Sequence, residues 1–173
     1  MKKIIISFFT IFILFLFQTC VFRHLSFNGI VPNLIFMIVC IYGVIRGELD
    51  GIFAGFFCGI VLDLLYSDVI GYYALCYMYA GYLNGLLNKY YFEFEHKLPV
   101  FCVALSNIAM NIVNYCILFL LKGRFNFKYY MNNIIVPELV YTIVLFFAVY
   151  PIVIFLEHRF IENDVLKEKE DVI

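Results

Sequence analysis

The chain has 173 residues, 65% of them hydrophobic and 14% charged, with a formal net charge of −1. A soluble domain of this length leaves too much of itself as surface to hide that much apolar side chain, so a soluble globular protein is excluded and an integral membrane protein is expected. The near-neutral balance supplies no basic field for nucleic acid.

Runs of about 20 apolar residues, the length that crosses a ~30 Å hydrocarbon core, predict six spans. They are Ile4–Phe22, Ile30–Ile45, Leu49–Tyr66, Ile70–Leu87, Leu98–Leu121 and Ile134–Leu156. Barrel strands are only ~10 residues long and alternate polar with apolar, and these runs do neither, so helices are expected. The predicted fold is an all-α six-transmembrane-helix bundle over residues 1–156, followed by a short charged cytoplasmic tail at 157–173.

The first run follows Met1-Lys2-Lys3 as a signal peptide would. It exceeds the usual ~7–15-residue apolar region and lacks a small-x-small exit, so a retained helix is predicted. Cys20 follows Phe17-Gln18-Thr19, without the Leu and small residues of a lipoprotein cleavage site.

From the second span into the third, Gly43, Gly47, Gly51, Gly55 and Gly59 recur at every fourth position. Gly51, Gly55 and Gly59 share one face of the third helix, where missing side chains let a second backbone come close. Gly43 and Gly47 are read as serving the end of the second helix and its turn, off that ridge. Asp63 continues the rung. A carboxylate within the bilayer costs at least ~2.5 kcal/mol on insertion scales. Asp63 is therefore either an ion, substrate or partner contact, or a helix-end carboxylate that bonds nearby backbone groups.

Gly81 and Gly85 repeat the small-residue spacing on the fourth helix, which Tyr72, Tyr73, Tyr77, Tyr79 and Tyr82 crowd. On the fifth, Asn107, Asn111 and Asn114 form one polar stripe, suited to interhelical hydrogen bonds or to lining a cavity. On the sixth, Glu138 follows Pro137 in the first turns, where a helix dipole favours a carboxylate, and Pro151 is expected to kink the helix. The tail carries nine charged residues, six of them acidic, and reads as a helix extension or a disordered end.

Lysine and arginine set the orientation. With the N-terminus inside, Lys2, Lys3, Arg46, Lys89, Lys97, Arg159, Lys167 and Lys169 lie inside, and Arg23, Lys122, Arg124 and Lys128 outside. Both termini are then cytoplasmic. The six cysteines fall within spans and form no C-x-x-C pair, and His24, His96 and His158 lie far apart in loops or at a span end. No H-E-x-x-H, G-x-S-x-G or P-loop spacing occurs. No catalysis, metal or cofactor is expected.

Across Pro32-Asn33-Leu34, Gly51-x3-Gly55-Phe56-x2-Gly59-x3-Asp63, Gly71-x2-Ala74 and Gly81-Tyr82-x2-Gly85, the chain resembles the rod shape-determining MreD family. The densest match is Pro32 to Gly85. The resemblance implies a non-enzymatic component of the bacterial cell-elongation machinery in the cytoplasmic membrane. It implies association with MreC, and through it with MreB, the RodA glycosyltransferase and a class B penicillin-binding protein. It also implies a fold similar to the substrate-binding S-components of energy-coupling-factor vitamin transporters. A carrier of that kind is the rival function, with Asn107, Asn111, Asn114 and Glu138 as its candidate ligand groups. S-components usually carry an Ala-rich patch on their first helix, whereas Ile4–Phe22 contains no alanine. Gly51, Gly55, Gly59, Asp63, Gly81 and Gly85 are the candidates for helix packing or partner binding.

Overall fold

The computed structural model describes residues 11–13, 15–21, 31–67, 70–90, 97–119 and 127–170. The expectations placed on Lys2, Lys3, Arg23, His24, His96, Lys122, Arg124 and the side chains of the tail lie outside the described residues. Every described element is helical. We label them α1 (residues 11–13 and 15–21, closing in a π turn at Phe17–Val21), α2 (Leu34–Arg46), α3 (Glu48–Tyr66), α4 (Tyr72–Gly85), α5 (Lys97–Asn114, continued by a π turn at Tyr115–Phe119) and α6 (residues 127–170).

Among the described residues, three stretches are long and apolar enough to cross a membrane: Glu48–Tyr66, Leu98–Ile117 and Lys128–Leu156. Two of the expected spans are shorter as helices. The second begins at Leu34, not Ile30, because the Asn33 carboxamide oxygen accepts from the Phe36 N–H at 3.1 Å and caps it. It ends where Gly47 takes φ +99°, a backbone angle that favours glycine. The fourth begins after Gly71, at φ +98°, and gives way to turns beyond Gly85.

The 13 residues of α2 rise only ~20 Å, yet this helix is the centre of the molecule. Every residue from Leu34 to Val44 is buried. A helix that is hydrophobic all round belongs inside, where its neighbours and not lipid are its solvent. Around it stand Cys58 and Leu62 from α3, Tyr77 from α4, Val103 and Met110 from α5, and Phe146, Tyr150 and Val153 from α6. Tyr77 meets Phe36 edge-on at 5.0 Å.

Ends buried in an apolar medium need partners for their backbone groups, and α2 takes them from the rest of the chain. The Gln18 side chain of α1 accepts from the Ile35 N–H at 3.0 Å. The Tyr77 hydroxyl donates to Asn33 Oδ1 at 3.0 Å, steadying the cap from α4. At the other end, Asn88 Nδ2 donates to the Val44 and Ile45 carbonyls at 2.7 and 2.8 Å. Asn84 likewise ties α4 to α5 through Ser106 Oγ at 2.8 Å. The outward faces are apolar: Phe53, Phe57, Leu64 and Leu65 of α3, and Val144 and Phe147 of α6, are exposed. This is the skin that acyl chains solvate and water does not.

The sixth helix differs most from expectation. Its helical path starts at Phe127, runs through a π turn at Met131–Ile135, and continues from Val136 to Glu170, through Pro151. The Val136 N–H reaches back five residues to the Met131 carbonyl, and the residue after it is Pro137, which has no N–H to give.

The double use of Asn33 generates a test. Asn33→Ala removes the cap and leaves the Tyr77 hydroxyl without its acceptor. A loss of about 1–2 kcal/mol is expected, read as a lower melting temperature in detergent with membrane insertion unchanged.

Candidate functional site

The glycines form a seam between the antiparallel helices α3 and α4. A β-carbon added to Gly51 would fall 2.5 Å from the Gly81 carbonyl oxygen, and one on Gly59 2.5 Å from the Ala74 nitrogen. One on Gly55 would meet the Tyr77 carbonyl carbon at 2.6 Å, and one on Gly85 the Glu48 nitrogen at 2.6 Å. Such approaches lie below what real β-carbons show, and the obstacle each time is backbone, which cannot rotate aside. The partner positions descend along α4 as the glycines ascend α3, so four-residue spacing on one helix meets near-four-residue spacing on the other.

Gly43 belongs to this seam, contrary to the reading that set it apart with Gly47. Its added β-carbon would lie 2.6 Å from the Gly81 oxygen and 3.1 Å from the Gly85 nitrogen. The β-carbon of a residue at 51 would touch the Gly43 Cα at 3.0 Å. Gly43, Gly51 and Gly81 are thus the point where α2, α3 and α4 meet backbone to backbone. The four-residue spacing across 43 and 51 survives because the turn at Gly47 returns the chain onto the same surface. Gly47 itself serves that turn.

Asp63 lies at the far end of the seam and is 2% exposed. Its Oδ2 accepts from the Gly71 and Ala74 N–H groups at 3.1 and 2.9 Å, and its Oδ1 from the Tyr73 N–H at 2.9 Å. Both oxygens are therefore occupied by the N-terminus of α4, where unpaired donors and the helix dipole favour an anion. Of the two readings open from the sequence, the geometry matches the backbone-bonding one. The bonds join α3 to the start of α4 and close the hairpin.

The asparagine stripe faces α6 and α4. Asn107 and Asn111 are almost fully buried, and Asn107 Nδ2 points to Glu138 Oε1 at 3.4 Å. Asn111 Nδ2 donates to the Asn107 carbonyl oxygen and to its Oδ1, both at 3.1 Å. Asn114 Oδ1 accepts from the Tyr72 hydroxyl at 2.6 Å. Glu138 sits in the first turn of the α-helix that begins at Val136, as expected. A short helix from Phe127 and a π turn at Met131–Ile135 lead into it. Lys128, Asn132 and Asn133 lower the hydropathy of those first turns, and so the apolar run marked a later beginning.

Six polar residues lay outside the candidates drawn from sequence: Gln18, Asn33, Asn84, Asn88, Ser106 and Thr142. Asn33 carried a readable signal, an Asn between Pro32 and an apolar run. Gln18, Asn84, Asn88 and Ser106 carry none, because each has a partner on another helix, and Thr142 carries none because it is marked by a missing partner. Among the described residues, no three His, Cys, Asp or Glu side chains converge as a metal site would need.

A family model described as rod shape-determining protein MreD matches residues 2–160. No curated protein and no solved structure matches the chain.

Two substitutions separate the roles of the seam. Gly55→Leu should leave insertion intact but force α3 and α4 apart, at a cost of ~1–3 kcal/mol or more. Asp63→Ala should cost on the order of 2–3 kcal/mol by stripping three N–H groups of their acceptor, and Asp63→Asn less, since one acceptor oxygen remains. Thermal melts of the purified proteins order the three; equal stability of Asp63→Ala and wild type would contradict the capping role.

Proposed function

This chain belongs to the MreD family of rod shape-determining proteins, and on that premise we propose that it is a non-catalytic membrane scaffold of the bacterial cell-elongation machinery. It binds an MreC-like membrane protein, and through it works with MreB, RodA and a class B penicillin-binding protein during peptidoglycan synthesis. The match over nearly the whole chain carries this reading. The economy of the interior supports it. Glycines, Asp63 and most buried amides are consumed in holding helices together, as a rigid body that presents surfaces requires.

We read the chain as multi-pass in the cytoplasmic membrane, with six spans and both termini inside. Eight basic residues against four favour that orientation. The short helices α2 and α4 fit a six-span path because protein, not lipid, surrounds most of α2. A second reading, a bundle that captures a small substrate as an S-component does, draws on the partly buried Glu138 beside the asparagine stripe.

Co-purification with an MreC-like partner from membranes tests the scaffold, and absence of such a complex would count against it. Reporter fusions test the path: cytoplasmic signal at Ile173 and an external signal near Asn126 are expected. A cytoplasmic signal near Asn126 would exclude six spans.

A further inference from the structure

We propose that the polar cluster between α5 and α6, built on Glu138, Asn107, Asn111 and Thr142, binds a hydrogen-bonding organic cation, an ammonium-type group. The buried carboxylate Asp63 and the partly buried Glu138 differ in what answers them. Asp63 has three backbone N–H groups. Among the described residues, Glu138 is answered by the neutral amides of Asn107 and Asn111. The Asn107 contact is long at 3.4 Å, and the Asn111 amide is already shared with Asn107. Arg46 lies over the Tyr42 ring and Lys89 over the Tyr90 ring, and Lys128, ten residues before Glu138, is exposed. A carboxylate held away from water without a positive partner is costly, and a bound cation removes that cost.

A second observation is independent of the carboxylate. Thr142 lies one turn beyond Glu138 on the inward stripe that α6 shares with Ile135, Phe146, Tyr150 and Val153. It is 1% exposed, and its hydroxyl oxygen has no hydrogen-bond partner among the described residues. Buried polar atoms are almost always paired in native proteins, so an orphan beside an underpaired carboxylate marks the place of an absent partner. The hydroxyl oxygen can accept from a donor that also serves Glu138.

The surroundings select the class of ligand. The phenol groups of Tyr73, Tyr77 and Tyr130 lie within electrostatic reach of Glu138, and their hydroxyls can accept from a donor that the carboxylate also binds. A divalent metal would need several oxygen anions, and one carboxylate is present. The π turns at Tyr115–Phe119 and Met131–Ile135 adjoin the cluster, with Tyr115 and Tyr130 packed at 5.1 Å. Such turns recur at functional sites. The cation has two possible sources with the same chemistry: a small amine, or a basic side chain on a neighbouring protein's membrane segment.

The test uses the full chain purified in detergent. Unfolding is followed with a thiol-reactive dye on a Cys20→Ser, Cys76→Ser, Cys116→Ser background, in which the remaining Cys40, Cys58 and Cys102 are buried and react when the bundle opens. Ethylammonium chloride is compared with sodium chloride at equal ionic strength. A saturable rise in melting temperature on the order of 3 °C is expected for this background. Glu138→Gln should abolish it and Thr142→Val should at least halve it; if Glu138→Gln does not fold, Thr142→Val decides alone. A second arm rests on the scaffold reading and uses the complex with an MreC-like partner. A rise that persists in the complex identifies a small amine. A rise lost in the complex, or partner capture weakened by Glu138→Gln, identifies a basic side chain. Equal response to the two salts, together with partner capture unchanged by Glu138→Gln, overturns the proposal. The first arm needs no partner, so failure of the scaffold reading is told apart from failure of the site.

Discussion

The fold depends on backbone meeting backbone at Gly43, Gly51 and Gly81. In a bilayer, helices gain little from hiding apolar surface, because lipid is as apolar as leucine. What remains is close van der Waals fit, and fit improves as helix axes approach. Glycine permits the closest approach at the expense of helix propensity. Three helices share this junction, so one missing side chain on each sets the distance for the other two. The Asp63 cap at the far end fixes the sliding register of α3 on α4. A smooth glycine groove alone would leave that register weakly specified.

The interior sorts its polar groups by what the fold can supply. Asn33, Gln18 and Asn88 answer the ends of α2, and Asp63 answers the start of α4. These are local debts of helix termini, each settled by a side chain from a neighbouring element. Glu138 stands in the first turn of the helix from Val136 and Thr142 one turn further, on the stripe that faces the asparagines, and the described residues around them supply amides and tyrosine hydroxyls without an ion pair. This difference divides a structural use of polarity from one directed outward to a ligand.

Much of this was legible in the sequence because small residues and amides leave periodic traces. The stripe at 51, 55 and 59 and the stripe at 107, 111 and 114 both follow from helical spacing. The place of Gly43 was not legible, since the spacing crosses a turn whose angle at Gly47 only the folded chain reveals. The place of Glu138 in the first turn of the helix from Val136 was legible from Pro137 beside it. The turns at 127–133 ahead of it were not, because hydropathy marks where a run becomes apolar and those turns are polar. The orphan hydroxyl of Thr142 has no sequence signature, because a missing partner is a property of three-dimensional neighbours.

The burial of α2 has a consequence for the membrane around the protein. Lipid meets the outer helices and scarcely touches α2, whose 13 residues are covered over most of their length. Its shortness therefore imposes no hydrophobic mismatch. The bilayer thickness that this protein prefers is set by α3, α5 and α6, whose apolar lengths lie nearer the hydrocarbon span. A thicker or thinner membrane would tilt those outer helices against a central post that does not feel the change. The seam joining α3 to that post would then carry the strain, so lipid composition has a mechanical route into the centre of the bundle.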